Sequence, residues 1–127
     1  MAYELGPQTI VSLSAAEDLS GSQYMVVYCD TNGDAALNDD GGTEIPLGIL
    51  QNAPTTGQTA EVVVAGVTKA MAGTNFALQN ILCAVDTTGK IVTGSPGDYA
   101  IGQPLTAPGA DGEIFTALVN FATVYIT

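Results

Sequence analysis

Apolar and polar positions follow one another along this chain in short runs, and turn-forming residues separate the runs. The runs are rich in β-branched and aromatic side chains, which suit a half-buried pleated strand. Gly, Pro, Asn or Asp recur between them at intervals of about ten residues. The pattern predicts strands at 23–29, 45–50, 60–68, 80–85, 91–93, 113–119 and 122–126.

Helical periodicity is weak, and only residues 15–19 and 73–79 could carry a helical turn. Many short strands joined by regularly spaced turns are typical of an all-β fold, either a small β-sandwich or a barrel. We therefore predict one β-rich domain over 15–127 with Gly- and Pro-rich turns. An extended N-terminal arm over 1–14 precedes it in this prediction.

The two halves of the chain share a spacing of conspicuous residues. Asp-Thr-Asn-Gly follows one strand at 30–33, and Asp-Thr-Thr-Gly follows another at 86–89. The spacing indicates two similar units that pack in one core. Three pairs of residues are each 54 positions apart: Cys29 and Cys83, Gly48 and Gly102, Pro54 and Pro108.

The charge is strongly one-sided, since 13 acidic residues face only Lys69 and Lys90 and the formal net charge is −11. Nucleic-acid binding normally requires clustered Lys and Arg, so the charge argues against nucleic acid and against an anionic membrane surface as partners. No apolar stretch approaches the roughly 20 residues that span a bilayer, and the N-terminus lacks the features of a signal peptide. We expect a protein made in the cytoplasm.

Catalytic chemistry has few candidate residues. The chain has neither His nor Arg, which excludes Ser-His and Cys-His nucleophile pairs and arginine clamps on phosphate. We predict that the protein is not an enzyme and uses no cofactor. Cys29 and Cys83 both lie in apolar runs, where buried free thiols are the expectation.

Two segments are candidates for binding. Asp30, Asn32 and Asp34 alternate as in the first part of a calcium loop, although glycine does not fall at the sixth loop position and position twelve has no glutamate. Turn formation by these residues is the alternative. The N-terminal arm could pair with the edge of a partner's sheet, and its candidate contact residues are Tyr3, Leu5, Pro7, Ile10 and Val11.

The order of short motifs resembles the capsid decoration proteins of tailed phages, also called cement or head-stabilising proteins. The resemblance covers about residues 16–119 and lies in short Gly-rich motifs, with a departure in the acidic turn at 34–44. The motifs are Asp-Leu-Ser at 18–20, Gln-Tyr at 23–24, Gly-Ile-Leu-Gln-Asn-Ala-Pro at 48–54 with Gly57, the run at 64–70, Gly-Asp-Tyr-Ala-Ile-Gly at 97–102, and Asp-Gly-Glu at 111–113.

This resemblance implies a β-rich domain on the outer surface of the virion capsid. It implies a homotrimer at local threefold positions that binds the major capsid protein and stabilises the head. Two alternatives stay open. One is another virion component of a fibre or tail, and the other is a β-sandwich module that binds carbohydrate or depends on a cation at residues 30–40.

Overall fold

The computed structural model describes residues 5–78 and 83–126, with side chains for 6–78, 83–119 and 126. In this part of the chain the fold is all-β without a helix, which confirms the predicted class. Residues 15–19 and 73–78 form bends and irregular segments. The strands are β1 (Leu5–Ser14), β2 (Val26–Cys29), β3 (Ala35–Leu37), β4 (Gly48–Leu50), β5 (Thr59–Met71), β6 (Cys83–Val85), β7 (Ile91–Thr93), β8 (Tyr99–Pro104) and β9 (Ile114–Tyr125).

All nine strands belong to one antiparallel sheet that curls into a half-barrel. The order across the sheet is β3-β2-β4-β5-β9-β8-β6-β7, and β1 pairs with the remaining edge of β5. Residues 5–14 of the predicted arm are thus part of the sheet as β1. The contact that this segment makes with a partner stays a prediction.

The pairing pattern of the first half recurs in the second half. In the first half β2 pairs with β3 and β4, and β4 pairs with β5. In the second half β6 pairs with β7 and β8, and β8 pairs with β9. An isolated parallel bridge also occurs in each half. Ala15 bridges to Ala35 in the β2–β3 hairpin, and Ala72 bridges to Ile91 in the β6–β7 hairpin. The 54-residue spacing therefore reflects two similar units, and β5 closes the first while it opens the second.

Three strands lie where the sequence pattern predicted none, namely β1, β3 and β8. The last two predicted strands are instead one continuous strand, β9. β3 contains only Ala-Ala-Leu and β8 contains both Gly and Pro, so local strand propensity is low in each. Their position depends on the strands beside them. Residues 80–82 of another predicted strand lie outside the described part.

β5 bends sharply at Gly66. In a straight strand Val62 and Met71 would lie about 30 Å apart. However, Val62 pairs with Leu50, whose carbonyl accepts the Tyr24 amide at 2.7 Å, and the Tyr24 carbonyl accepts the Met71 amide at 2.9 Å. The three spacings between these neighbouring chain segments add up to only about 15 Å. Gly66 has φ +123°, a value that suits glycine, so its position explains where the strand can turn.

The bend divides the apolar core into two clusters that both use β5. The first cluster includes Leu19, Leu50 and Val62, and the second includes Phe115, Ile91 and Cys83. Ala60, Val62 and Val64 before the bend face the first cluster, whereas Ala70 and Ala72 after it face the second. β5 and the residue that follows it therefore contribute side chains to both clusters. No helix in the described ranges is long and apolar enough to cross a membrane.

Candidate functional site

The hairpin between β2 and β3 contains the residues with the pattern of a calcium loop. Asp30 Oδ1 accepts the amides of Asn32 and Asp34, each at 2.9 Å, and the Asp30 amide donates to the Asp34 carbonyl at 2.8 Å. Gly33 has φ +82°, as the turn requires. The Asp30 carboxylate thus caps its own turn, which is the alternative that the sequence left open.

The hairpin between β6 and β7 shows that this geometry needs no asparagine. Asp86 Oδ1 accepts the amides of Thr88 at 2.7 Å and Lys90 at 3.1 Å, and Gly89 has φ +83°. The shared Asp and Gly are sufficient for the turn. Among residues 5–78 and 83–126, no group of three or more His, Cys, Asp or Glu side chains could hold a metal ion. Cation binding at Asp30, Asn32 and Asp34 stays a prediction.

Three acidic residues nevertheless lie close enough to Tyr28 for their charges to act on it, namely Asp30, Asp39 and Glu44. Glu44 Oε1 accepts the amides of Asp39 at 3.0 Å and Asp40 at 3.1 Å, which closes the loop after β3. The Tyr28 hydroxyl donates to the Glu44 carboxylate. Sequence reasoning missed this pair because its members lie 16 positions apart.

Tyr28 is expected to titrate at higher pH than an ordinary tyrosine. The hydrogen bond to Glu44 raises the Tyr28 pKa above 10.0, and burial and the charges of Glu44, Asp30 and Asp39 raise it further. The folded state holds this proton more tightly than the unfolded chain. Its stabilising contribution is therefore complete below pH 10 and is lost as the pH rises through the folded pKa.

Absorbance titration of tyrosinate measures this shift. The difference between the curves of the wild type and the Tyr28→Phe variant isolates Tyr28 from the other four tyrosines. In Glu44→Gln, which keeps the Oε1 acceptor for the two loop amides, the Tyr28 curve should move to lower pH. An unchanged curve in that variant would contradict the proposed cause.

The outer edge of β1 is a second candidate site. Ala15 donates its amide to the Gln58 carbonyl, and the β1–β5 register is regular from Ser14 back to Ile10. Alternate residues face opposite edges of a strand, so the amides of Leu13 and Val11 face β5 while those of Ser12 and Ile10 face outward. No described strand pairs with that outward edge at Ile10 and Ser12.

The predicted arm residues occupy different environments. Pro7 is exposed and Ile10 is 48% exposed, whereas Val11 is half-buried against the first core cluster. Leu5 pairs with Val67 through its backbone. Tyr3 lies outside the described residues. Pro7 and Ile10 are therefore available to a partner, while Val11 helps to hold β1 on the domain.

The two cysteines differ, although their sequence surroundings are similar. Cys83 is 1% exposed, as predicted, and burial raises its pKa to about 12. Cys29 is exposed at the end of β2, so the expectation of burial was wrong for this residue. The strand ends at Cys29 and leads directly into the exposed hairpin, where the thiol donates to the Asp30 carbonyl at 3.7 Å and stays exposed.

We expect one thiol per chain to react in the native protein. The thiolate is the reactive form, so the exposed Cys29 should react with a thiol reagent within minutes while Cys83 reacts only after unfolding. Counting modified thiols with and without denaturant measures this. Cys29→Ser should abolish the native reaction, and a native reaction that persists in this variant would contradict the assignment.

Comparisons with known proteins find a structure with a similar fold but no matching family. No family of known proteins matches the sequence, and no curated protein is similar to it. The structure is similar to the crystal structure of the N base of the head fiber gp8.5 of bacteriophage phi29, with a TM-score of 0.64 and 15% identity. The match covers 93% of this chain and 98% of that chain. The likeness therefore extends over the whole all-β fold.

Proposed function

We propose that this protein is a non-catalytic component of a phage head that binds the outside of the capsid and stabilises it. The observation that carries the proposal is the fold likeness to a phage head fiber base over nearly the full length of both chains. The order of motifs at 16–119 resembles that of decoration proteins and also supports a phage head protein. This resemblance lies in the sequence and does not depend on the structural likeness. The partners in this proposal are the major capsid protein and two further copies of the chain.

Stabilisation would follow from mass action. A protein that binds the assembled shell and does not bind its separated subunits lowers the free energy of the shell by its binding free energy. The outer edge of β1 suits such binding because Ile10 and Ser12 offer unpaired backbone groups to a capsid strand. β1 also carries no charged side chain from Gly6 to Ser14, so a partner strand would meet no like charge there.

Co-sedimentation with expanded heads of the phage that encodes this chain tests the proposal. The protein should pellet with heads at a saturating stoichiometry and raise the temperature at which they release DNA. Ser12→Pro removes an outward amide without removing a bond to β5, so it should weaken binding by about tenfold. Ser12→Ala is the control, because it loses the same side-chain contact to Glu61 and keeps the amide.

Two results would count against parts of this proposal. Absence of co-sedimentation for the wild type would contradict capsid binding as a whole. Equal binding by Ser12→Pro and Ser12→Ala would contradict the β1 edge alone. The trimer has a test of its own, since light scattering should give three times the chain mass of 12.9 kDa.

A second candidate is the base of a head fiber, and the same structural likeness favours it. A base anchors a projecting structure and need not strengthen the shell. Virions that lack the protein distinguish the two functions. Heads that keep their heat resistance but lose projecting fibres would favour the fiber base, whereas heads that release DNA at lower temperature would favour stabilisation.

A further inference from the structure

The tip of the β2–β3 hairpin carries an asparagine followed by a glycine, Asn32 and Gly33. In such a pair the backbone nitrogen of the glycine can attack the side-chain carbonyl carbon of the asparagine, because glycine has no β-carbon to hinder the approach. Asparagine is one of the thermolabile residues of proteins. Asn32 is the only one of the six asparagines in this chain that precedes a glycine. The sequence therefore favours this reaction at Asn32.

The other asparagines whose side chains the structure describes are buried or held by hydrogen bonds. Asn38 is fully buried. Asn52 uses both groups of its amide, since Nδ2 donates to a backbone carbonyl at 2.8 Å and Oδ1 accepts a backbone amide at 3.0 Å. Asn75 Oδ1 accepts the hydroxyl of the preceding threonine at 3.5 Å. Asn32, in contrast, is exposed, and its side chain forms no hydrogen bond with the described residues.

The two hairpin tips differ in what surrounds the glycine, although both turns are capped by an aspartate. Gly89 is buried, its carbonyl accepts the Val26 amide at 2.9 Å, and a β-carbon on it would overlap Leu37 Cδ1. Gly33 is exposed, and nothing lies within 4 Å of the position that an added β-carbon would take. The first tip can therefore open without disturbing the core, whereas the second is packed against the first unit.

One hydrogen bond opposes the reaction at the first tip. The Gly33 amide donates to the Asp30 carbonyl at 3.1 Å, so its nitrogen can attack only after this bond opens and the proton is lost. Opening an exposed turn costs little free energy, because no buried side chain has to leave the core. The native protein should therefore react, but more slowly than the unfolded chain.

From these observations we infer that Asn32 is a site of spontaneous deamidation in the native protein. The Gly33 nitrogen gives its proton to hydroxide and forms a bond to Asn32 Cγ, and the side-chain nitrogen takes a proton from water and leaves as ammonia. Water then opens the resulting cyclic imide at either of its two carbonyls, which gives aspartate or isoaspartate. The product carries one further negative charge. The inference does not depend on the proposed function.

The isoaspartate product should loosen the turn. Its backbone runs through the former side chain and is one carbon longer between positions 32 and 33. Asp30 Oδ1 accepts the amides of Asn32 and Asp34, which lie on either side of that linkage, so the longer backbone cannot keep both bonds in their present geometry. The rest of the domain should stay folded, because the tip lies outside both core clusters.

Incubation of the full chain at mildly alkaline pH tests the inference. Peptide mass spectrometry measures the conversion of each amide to an acid, and chromatography separates the aspartyl and isoaspartyl peptides. We expect Asn32 to convert at least about tenfold faster than Asn52, whose amide is held by two hydrogen bonds. Asn32→Thr reproduces the Asp-Thr-Thr-Gly tip at 86–89 and should remove the fast conversion without unfolding the protein.

The second hairpin supplies a matched control. Thr88→Asn gives that tip the same four residues as the first and keeps the amide that donates to Asp86 Oδ1. In the folded variant, position 88 should convert at least about tenfold more slowly than Asn32, because Gly89 is packed in place. In denaturant the two positions should convert at equal rates. Circular dichroism checks that each variant is folded.

Three outcomes would overturn the inference. Asn32 that stays intact in the folded protein and converts only in denaturant would show that the turn protects it. Equal rates at positions 32 and 88 in folded Thr88→Asn would show that the exposure of the first tip has no influence. Conversion of Asn52 as fast as that of Asn32 would contradict the selectivity for the hairpin tip.

Discussion

Replacing Gly102 by alanine should destabilise the fold by about 3 kcal/mol or more, and Gly48→Ala should have a similar effect. A β-carbon on Gly102 would overlap the carbonyl oxygen of Leu118 and lie 3.0 Å from the Leu118 carbonyl carbon. On Gly48 it would overlap the carbonyl oxygen of Val63. Because these obstacles are backbone atoms of the adjoining strand, a side-chain rotation cannot relieve them.

The same close approach occurs at two positions 54 residues apart, where β4 crosses β5 and β8 crosses β9. Denaturant unfolding, followed by circular dichroism since the chain has no Trp, measures the loss of stability. Gly21→Ala is the control because nothing lies within 4 Å of the position that its added β-carbon would take, and the φ of Gly21 is not positive. A Gly102→Ala protein as stable as Gly21→Ala would show that the strands can separate at little cost.

The second large effect is expected at Phe115, which is 1% exposed in the second core cluster. Phe115→Ala should lower the free energy of unfolding by about 3–5 kcal/mol, through lost burial and the cavity left behind. That range is a large part of the roughly 5–15 kcal/mol stability of a typical domain. The variant should therefore melt at a clearly lower temperature or fail to accumulate.

A contact with Phe76 contributes to this effect. The two rings meet edge to face at 5.3 Å between centroids and 89° between planes. A double-mutant cycle with Phe76→Leu and Phe115→Leu should give a coupling of about 0.5–1.5 kcal/mol. These milder substitutions keep the proteins folded enough to measure. Additive effects in the cycle would contradict a specific contact between the rings. They would not change the loss of stability expected when Phe115→Ala removes a buried side chain.

Several features of the fold were readable from local sequence. The strands at β2, β4, β5 and β7 coincide with runs of β-branched and aromatic residues between turns. The hairpin turns were readable because Asp30 and Asp86 bond backbone amides no more than four residues away. A carboxylate and a glycine at the correct spacing are enough to form such a turn.

Other features depended on contacts between distant residues. Cys29 and Cys83 end or begin similar apolar runs, yet one thiol is exposed and the other is buried. The Tyr28–Glu44 pair depends on how the loop after β3 folds back. The position of Lys69 against Tyr24 requires the bend of β5 at Gly66. The pattern of neighbouring residues cannot reveal these contacts, because the two partners lie far apart in the sequence.

By itself, the sequence determined the all-β class, the hairpin turns, the 54-residue duplication and the excess of negative charge. Those properties follow from side-chain type and from bonds within a few residues. Only the tertiary structure decided that β5 serves both units and that residues 5–14 join the sheet as β1. Strand pairing uses backbone groups that nearly every residue has, so the choice of partner strand depends on how the whole chain packs.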